Sequence, residues 1–168
     1  MVRRVSYILA VALASFLLSP GAWALETYQA LFPLMVDLPG WQAEKPDGMN
    51  LEAEGQKVFS TTRRYERGES HFSVVLLAGM AAAAQVAAAQ SAGGINVETP
   101  EGRVSTEVMN GFQVTTTYSR TDRSGTVMVI LGQTGLLSFE YGGLSSEEGL
   151  ALARKFDWGA LRKAVEGK

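Results

Sequence analysis

The chain has 168 residues, 46% of them hydrophobic and 19% charged, with a formal net charge of −2, one histidine and no cysteine. Mild acidity gives no general attraction to nucleic acid or to an anionic bilayer, so no nucleic-acid partner is expected. Without cysteine there is no disulfide, no thiolate chemistry and no lipid-bearing thiol, and a lone histidine excludes a His-rich metal site.

Residues 1–24 read as a cleavable signal peptide. Arg3 and Arg4 form a basic start, Val5 to Leu18 an apolar run, and Ser19-Pro20-Gly21 a break before the small-x-small Ala22-Trp23-Ala24. Cleavage there leaves Leu25 first. An uncleaved anchor is the alternative, but the apolar run is short of the ~20 residues of a spanning helix. The Arg3-Arg4 pair lacks the rest of a twin-arginine pattern, so Sec export is expected. The expected product, residues 25–168, is a single soluble periplasmic domain, not a lipoprotein, without stable membrane insertion after cleavage.

Thr27 to Leu34 is expected to form a short helix before Pro39-Gly40, and Trp41 opens a stretch broken by the turn signal Pro46-Asp47-Gly48. Lys57–Glu66 and Glu69–Ala78 are rich in β-branched and aromatic residues and read as strands around an Arg67-Gly68 loop. Met80 to Gln90, with seven alanines, predicts a helix lying closely on a sheet. Ile95 to Pro100 is a loop or short edge strand.

The rest reads as a meander. Arg103–Met109 and Phe112–Arg120 flank Asn110-Gly111, a strong hairpin signal, and Thr126–Leu131 and Leu136–Tyr141 follow. Phe112, Val114, Thr116 and Tyr118 alternate with polar residues, as on a strand with one wet face. Ser145 and Glu148 predict a capping box before a helix carrying Leu152 and Phe156 on one face, and Asp157 a cap for a helix with Trp158, Leu161 and Val165 in a stripe. The fold class is therefore α+β: an antiparallel sheet of about six strands, with the alanine-rich helix and C-terminal helices packed on it.

Catalytic motifs are missing. There is no phosphate-binding loop, no nucleophile elbow and no H-E-x-x-H, so no catalytic residue, metal ligand or cofactor is assigned and no enzymatic activity is expected. One polar cluster stands out. An Arg67-Gly68 loop pairs Arg64 with His71 and sets Phe59, Phe72, Val74 and Leu76 on a core face. Thr62, Arg64, His71 and Ser73 then share the other face and are the candidate binding residues for a small anion or carboxylate. An ordinary solvated sheet face is the competing explanation. Ser70 points away from His71, which speaks against a serine hydrolase. Trp41 and Trp158 could line a groove, although large aromatics more often fill cores.

Leu38-Pro39-Gly40-Trp41, Arg64-Tyr65-Glu66-Arg67-Gly68-Glu69, Asn110-Gly111-Phe112 and Phe156-Asp157-Trp158-Gly159-Ala160-Leu161 resemble segments of small exported bacterial proteins of uncharacterised function. The order of elements is similar to the PsbP-like α/β/α sandwich, named for an extrinsic photosystem II subunit. That resemblance implies an accessory or binding role and supplies no catalytic residue. The expected function is a non-enzymatic periplasmic binding or accessory module acting on an envelope protein. The alternatives are a small-ligand or lipid carrier, which needs a sizeable apolar cavity, and then an enzyme of unrecognised type.

Overall fold

Stretches of β-branched and aromatic residues alternating with polar ones run through most of the chain, and they form nine strands where about six were expected. The computed structural model describes residues 28–53, 56–91 and 94–167; the expected signal peptide, residues 1–24, lies outside them. The strands are β1 (Gln42–Ala43), β2 (Asp47–Ala53), β3 (Gln56–Arg67), β4 (Ser70–Gly79), β5 (Asn96–Glu98), β6 (Gly102–Met109), β7 (Phe112–Ser119), β8 (Ser124–Ile130) and β9 (Gly135–Gly142). Helices α1 (Met80–Ser91), α2 (Ser146–Ala153) and α3 (Trp158–Glu166) and a 3-10 helix, Tyr28–Leu34, complete the described elements.

All neighbouring strands are antiparallel, in the order β1-β3-β4-β9-β8-β7-β6-β5, with β2 pairing β3 beyond β1. The long β3–β4 hairpin is thus joined to the β5–β9 meander by one seam, β4 against β9. The surplus over six strands comes mainly from β1 and β2. Asp47-Gly48, which reads as a turn, opens β2, because the twelve-residue β3 offers it a partner along most of its length. A free edge can recruit residues whose own propensity is weak.

One sheet face, the inner face, carries the main core. Tyr65, Phe72, Val74, Leu76, Val114, Val127, Val129, Leu137, Phe139 and Tyr141 are buried there. The 3-10 helix, the segment after it, α2 and α3 cover them with Leu31, Met35, Leu38, Phe156, Trp158 and Leu161. Phe72, Phe139 and Phe156 meet ring to ring at centroid separations of 5.1–6.2 Å. Arg63 sits among these core-facing positions and ties β3 to the covering segment. It donates to the Met35 carbonyl, to the Glu44 carbonyl at 2.8 Å and to Asp37 at 2.5 Å.

The C-terminal helices form where their caps dictate. Ser145 and Glu148 make the expected capping box, and the Asp157 side chain accepts from the Ala160 amide at 2.9 Å. One expectation fails: α2 ends at Ala153, so Leu152 and Phe156 do not share a helix, and Phe156 enters the core from the turn between α2 and α3. On the outer face α1 lies close, as its alanines predict. Ala82 and Val86 pack on Ile130 and Leu136 in a small second core. No helix among the described residues is long and apolar enough to cross a membrane.

Candidate functional site

The candidate residues Thr62, Arg64, His71 and Ser73 do share the outer face, but their register differs from the expected one. The β3–β4 turn is Gly68-Glu69, not Arg67-Gly68, because Gly68 takes the left-handed backbone (φ 59°) that the turn requires. His71 therefore stands opposite Glu66, and Arg64 opposite Ser73. The pairing moved by two residues, so each side chain kept its face. Arg64 and His71 become diagonal neighbours instead of a direct pair.

The same rows continue across the sheet. Ser73 is opposite Glu140, Glu140 opposite Thr126 and Thr126 opposite Thr117. His71 is opposite Gly142, which is opposite Ser124, and Ser124 is opposite Ser119. The His71 imidazole lies over Gly142, since a Cβ there would come within 2.2 Å of its Cε1. Beside it is a shallow open depression lined by His71, Thr117, Ser119, Ser124, Thr126 and Glu140. Glu66 and Glu140 bring carboxylates beside Arg64 and His71, so an anion bound there would face negative charge too. The surface is a hydroxyl-rich floor with mixed charge.

Its border is less ordinary. In β6, Val104, Thr106 and Val108 alternate with Arg103, Ser105 and Glu107, and local patterning would bury the valine set. The two-residue Asn110-Gly111 turn, with φ of 51° and 80°, instead pairs Met109 with Phe112 and Ser105 with Thr116. Because β7 buries Phe112, Val114 and Thr116, the arginine–serine–glutamate set of β6 is carried to the inner face and the valines to the outer one. Val108 is 75% exposed and Val97, paired with Val104, is 52% exposed. Ile95, whose carbonyl accepts from the Thr106 amide, joins them. At the opposite border Met49 and Leu51 of β2 stand exposed on the same face. The sequence reading missed this patch, whose only signal is the conflict between β6 patterning and the hairpin's register.

The two tryptophans do not form a common groove lining. Trp41 packs on Phe72 under the Arg67 guanidinium, whose carbon is 4.5 Å from the ring centroid. Trp158 is buried against Phe112, and its indole donates to the Ala153 carbonyl at 3.0 Å. Among the described residues no group of three or more His, Cys, Asp and Glu is placed to hold a metal ion. No known protein family matches the chain, and no curated protein or solved structure matches it significantly.

Proposed function

We propose that the chain is a non-enzymatic binding or accessory module, exported as a soluble domain to the periplasm, and that it engages a protein of the cell envelope through its outer sheet face. The observation that carries this reading is the outward display of Ile95, Val97 and Val108 beside the hydroxyl floor. Covering an aliphatic side chain fully is worth about 1.5–3 kcal/mol, so a partner seated there would gain several kcal/mol. Face docking is favoured over strand addition. The β5 edge is three residues long, is followed closely by Pro100, and is closed by the Glu98–Arg120 ion pair.

The carrier reading needs apolar space between sheet and helices. The middle of that layer is instead filled ring on ring by Tyr65, Phe72, Phe139 and Phe156, and the apolar opening at its edge, lined by Leu31, Phe59, Ala78 and Val165, holds only about 190 Å3, which supports the partner-binding reading. Helices on both sheet faces are also what the PsbP-like resemblance implies, and that likeness rests on layering and element order.

A photo-crosslinking residue at position 108 or 97 should capture one discrete envelope protein in cells, whereas the same residue at Lys163 on α3 should not. Equal labelling from all three positions would sink the docking face. Amino-terminal sequencing of the exported protein should begin at Leu25; recovery only in membranes with residues 1–24 retained would overturn the export reading.

A further inference from the structure

On the inner face, α2 packs mainly over β7, β8 and β9. Its flank and the inward-turned residues of β6 therefore enclose a cleft. Arg103, Ser105 and Glu107 line it from β6, Thr116 from β7, and Ser146, Glu147 and Leu150 from α2. Its volume is about 90 Å3, room for several waters or a small polar head.

Ser105 and Thr116 are each only 8% exposed, yet neither hydroxyl is hydrogen-bonded within the described chain. Elsewhere on the same two strands the paired hydroxyls of Thr106 and Thr115 bond each other at 3.0 Å. Nor do Arg103, Glu107 and Glu147 form ion pairs among the described residues. These three side chains are exposed, and the Ser105 and Thr116 hydroxyls reach solvent through the cleft. A cation, two hydroxyls and two carboxylates thus converge on one small opening, none of them committed to a partner among the described residues.

We propose that this cleft binds the polar head of a small zwitterion, a compound with an ammonium and a carboxylate such as an amino acid. The Arg103 guanidinium would take the carboxylate, for which its fork of N–H donors is suited, and Glu107 and Glu147 the ammonium. Ser105 and Thr116 hydroxyls lie in the row between those ends and complete the bonds. A simple anion would leave both glutamates opposed, and a simple amine would leave Arg103 unmatched. The volume limits the enclosed part to a few heavy atoms, with any side chain directed out of the mouth. This site lies on the opposite sheet face from the proposed docking surface and does not depend on it.

The test is an amide NMR titration of the exported domain with glycine, β-alanine and γ-aminobutyrate, with acetate and methylammonium as half-ligands. At least one zwitterion should give saturable shifts confined to Arg103–Glu107, Thr116 and Ser146–Leu150. Arg103→Ala should weaken it at least tenfold. Thr116→Val, which keeps the shape, should weaken it severalfold, and His71→Ala should leave it unchanged. No saturable shift with any zwitterion at millimolar concentrations would overturn the proposal. So would acetate or methylammonium binding as tightly as the zwitterion, or an unchanged affinity in both cleft variants.

Discussion

Tyr65 shows how one buried hydroxyl sets a pH limit on the fold. Its ring is fully buried, and its hydroxyl donates to the Val36 carbonyl at 2.7 Å. Burial pushes its pKa from 10.0 to about 12, against the opposing pull of the Arg63 guanidinium. A raised pKa stabilises the fold fully below the unfolded value and loses that contribution as pH rises through the folded one. Between those two values the unfolded chain sheds the proton while the native chain keeps it, a loss on the order of 2 kcal/mol. Tyr65→Phe should cost about 1 kcal/mol near neutrality through the lost hydrogen bond, and its stability should fall less steeply in alkali. Urea unfolding of both proteins at about pH 7 and about pH 11 measures this; parallel losses would refute it.

Glycines make a second residue-scale contrast. Tyr141 is stacked near Tyr118 and sandwiched between Gly125 of β8 and Gly149 of α2, where an added Cβ would come within 2.5 Å of its hydroxyl and 2.4 Å of its ring. The Gly125 position also meets the Thr117 carbonyl at 2.4 Å, and neither neighbour can move aside. Gly125→Ala should therefore destabilise by about 1–3 kcal/mol as an overpacked site. At Gly142 the nearest atoms to an added Cβ belong to the exposed His71 ring, which can swing away, so Gly142→Ala should cost much less and shift the His71 NMR signals. Equal costs in thermal unfolding would show that His71 is locked in place.

At the scale of elements, α2 depends on its cap. The Ser145 hydroxyl accepts from the Glu148 amide at 3.2 Å, and the Glu148 carboxylate accepts from the Ser145 amide at 2.8 Å. That second bond holds the Glu148 carboxyl below its ordinary 4.5. A depressed carboxylate stabilises above its unfolded value and loses the contribution as pH falls through the folded one. Ser145→Ala should lower stability by about 1 kcal/mol. The stability gap between the natural chain and Glu148→Gln should close on acidification, and a gap independent of pH in thermal melts would count against this cap. These caps were legible because their chemistry is local, as was the Asn110-Gly111 hairpin. Less legible was α2's end: Leu152 and Phe156 have helical spacing, but the chain turns at Arg154-Lys155 and Phe156 reaches the core from outside the helix. The cleft and the exposed valines were hidden for a different reason. Which face of β6 points inward is decided by pairing with β7, so its local alternation gives the opposite answer.

The whole molecule has an uneven distribution of burial, and its dynamics should follow. The β4–β9 seam joins the two halves of the sheet at Phe72–Tyr141, Val74–Phe139 and Leu76–Leu137, all six residues buried. Opening that seam exposes the aromatic core, so it requires global unfolding. Helix α1 is held differently: its alanines offer little area, and its buried anchors are Ala82 and Val86 on Ile130 and Leu136. Most of the rest of the helix is exposed. Local openings cost least where few apolar contacts must break. Native-state hydrogen exchange should therefore find α1 amides opening well below the global free energy, and amides of β4 and β9 only at it. Val86→Ala should speed exchange across α1 selectively, by roughly tenfold for each 1.4 kcal/mol lost, and leave the seam almost unchanged. Uniform acceleration in both regions would mean that α1 is part of the cooperative core and not a helix laid upon it.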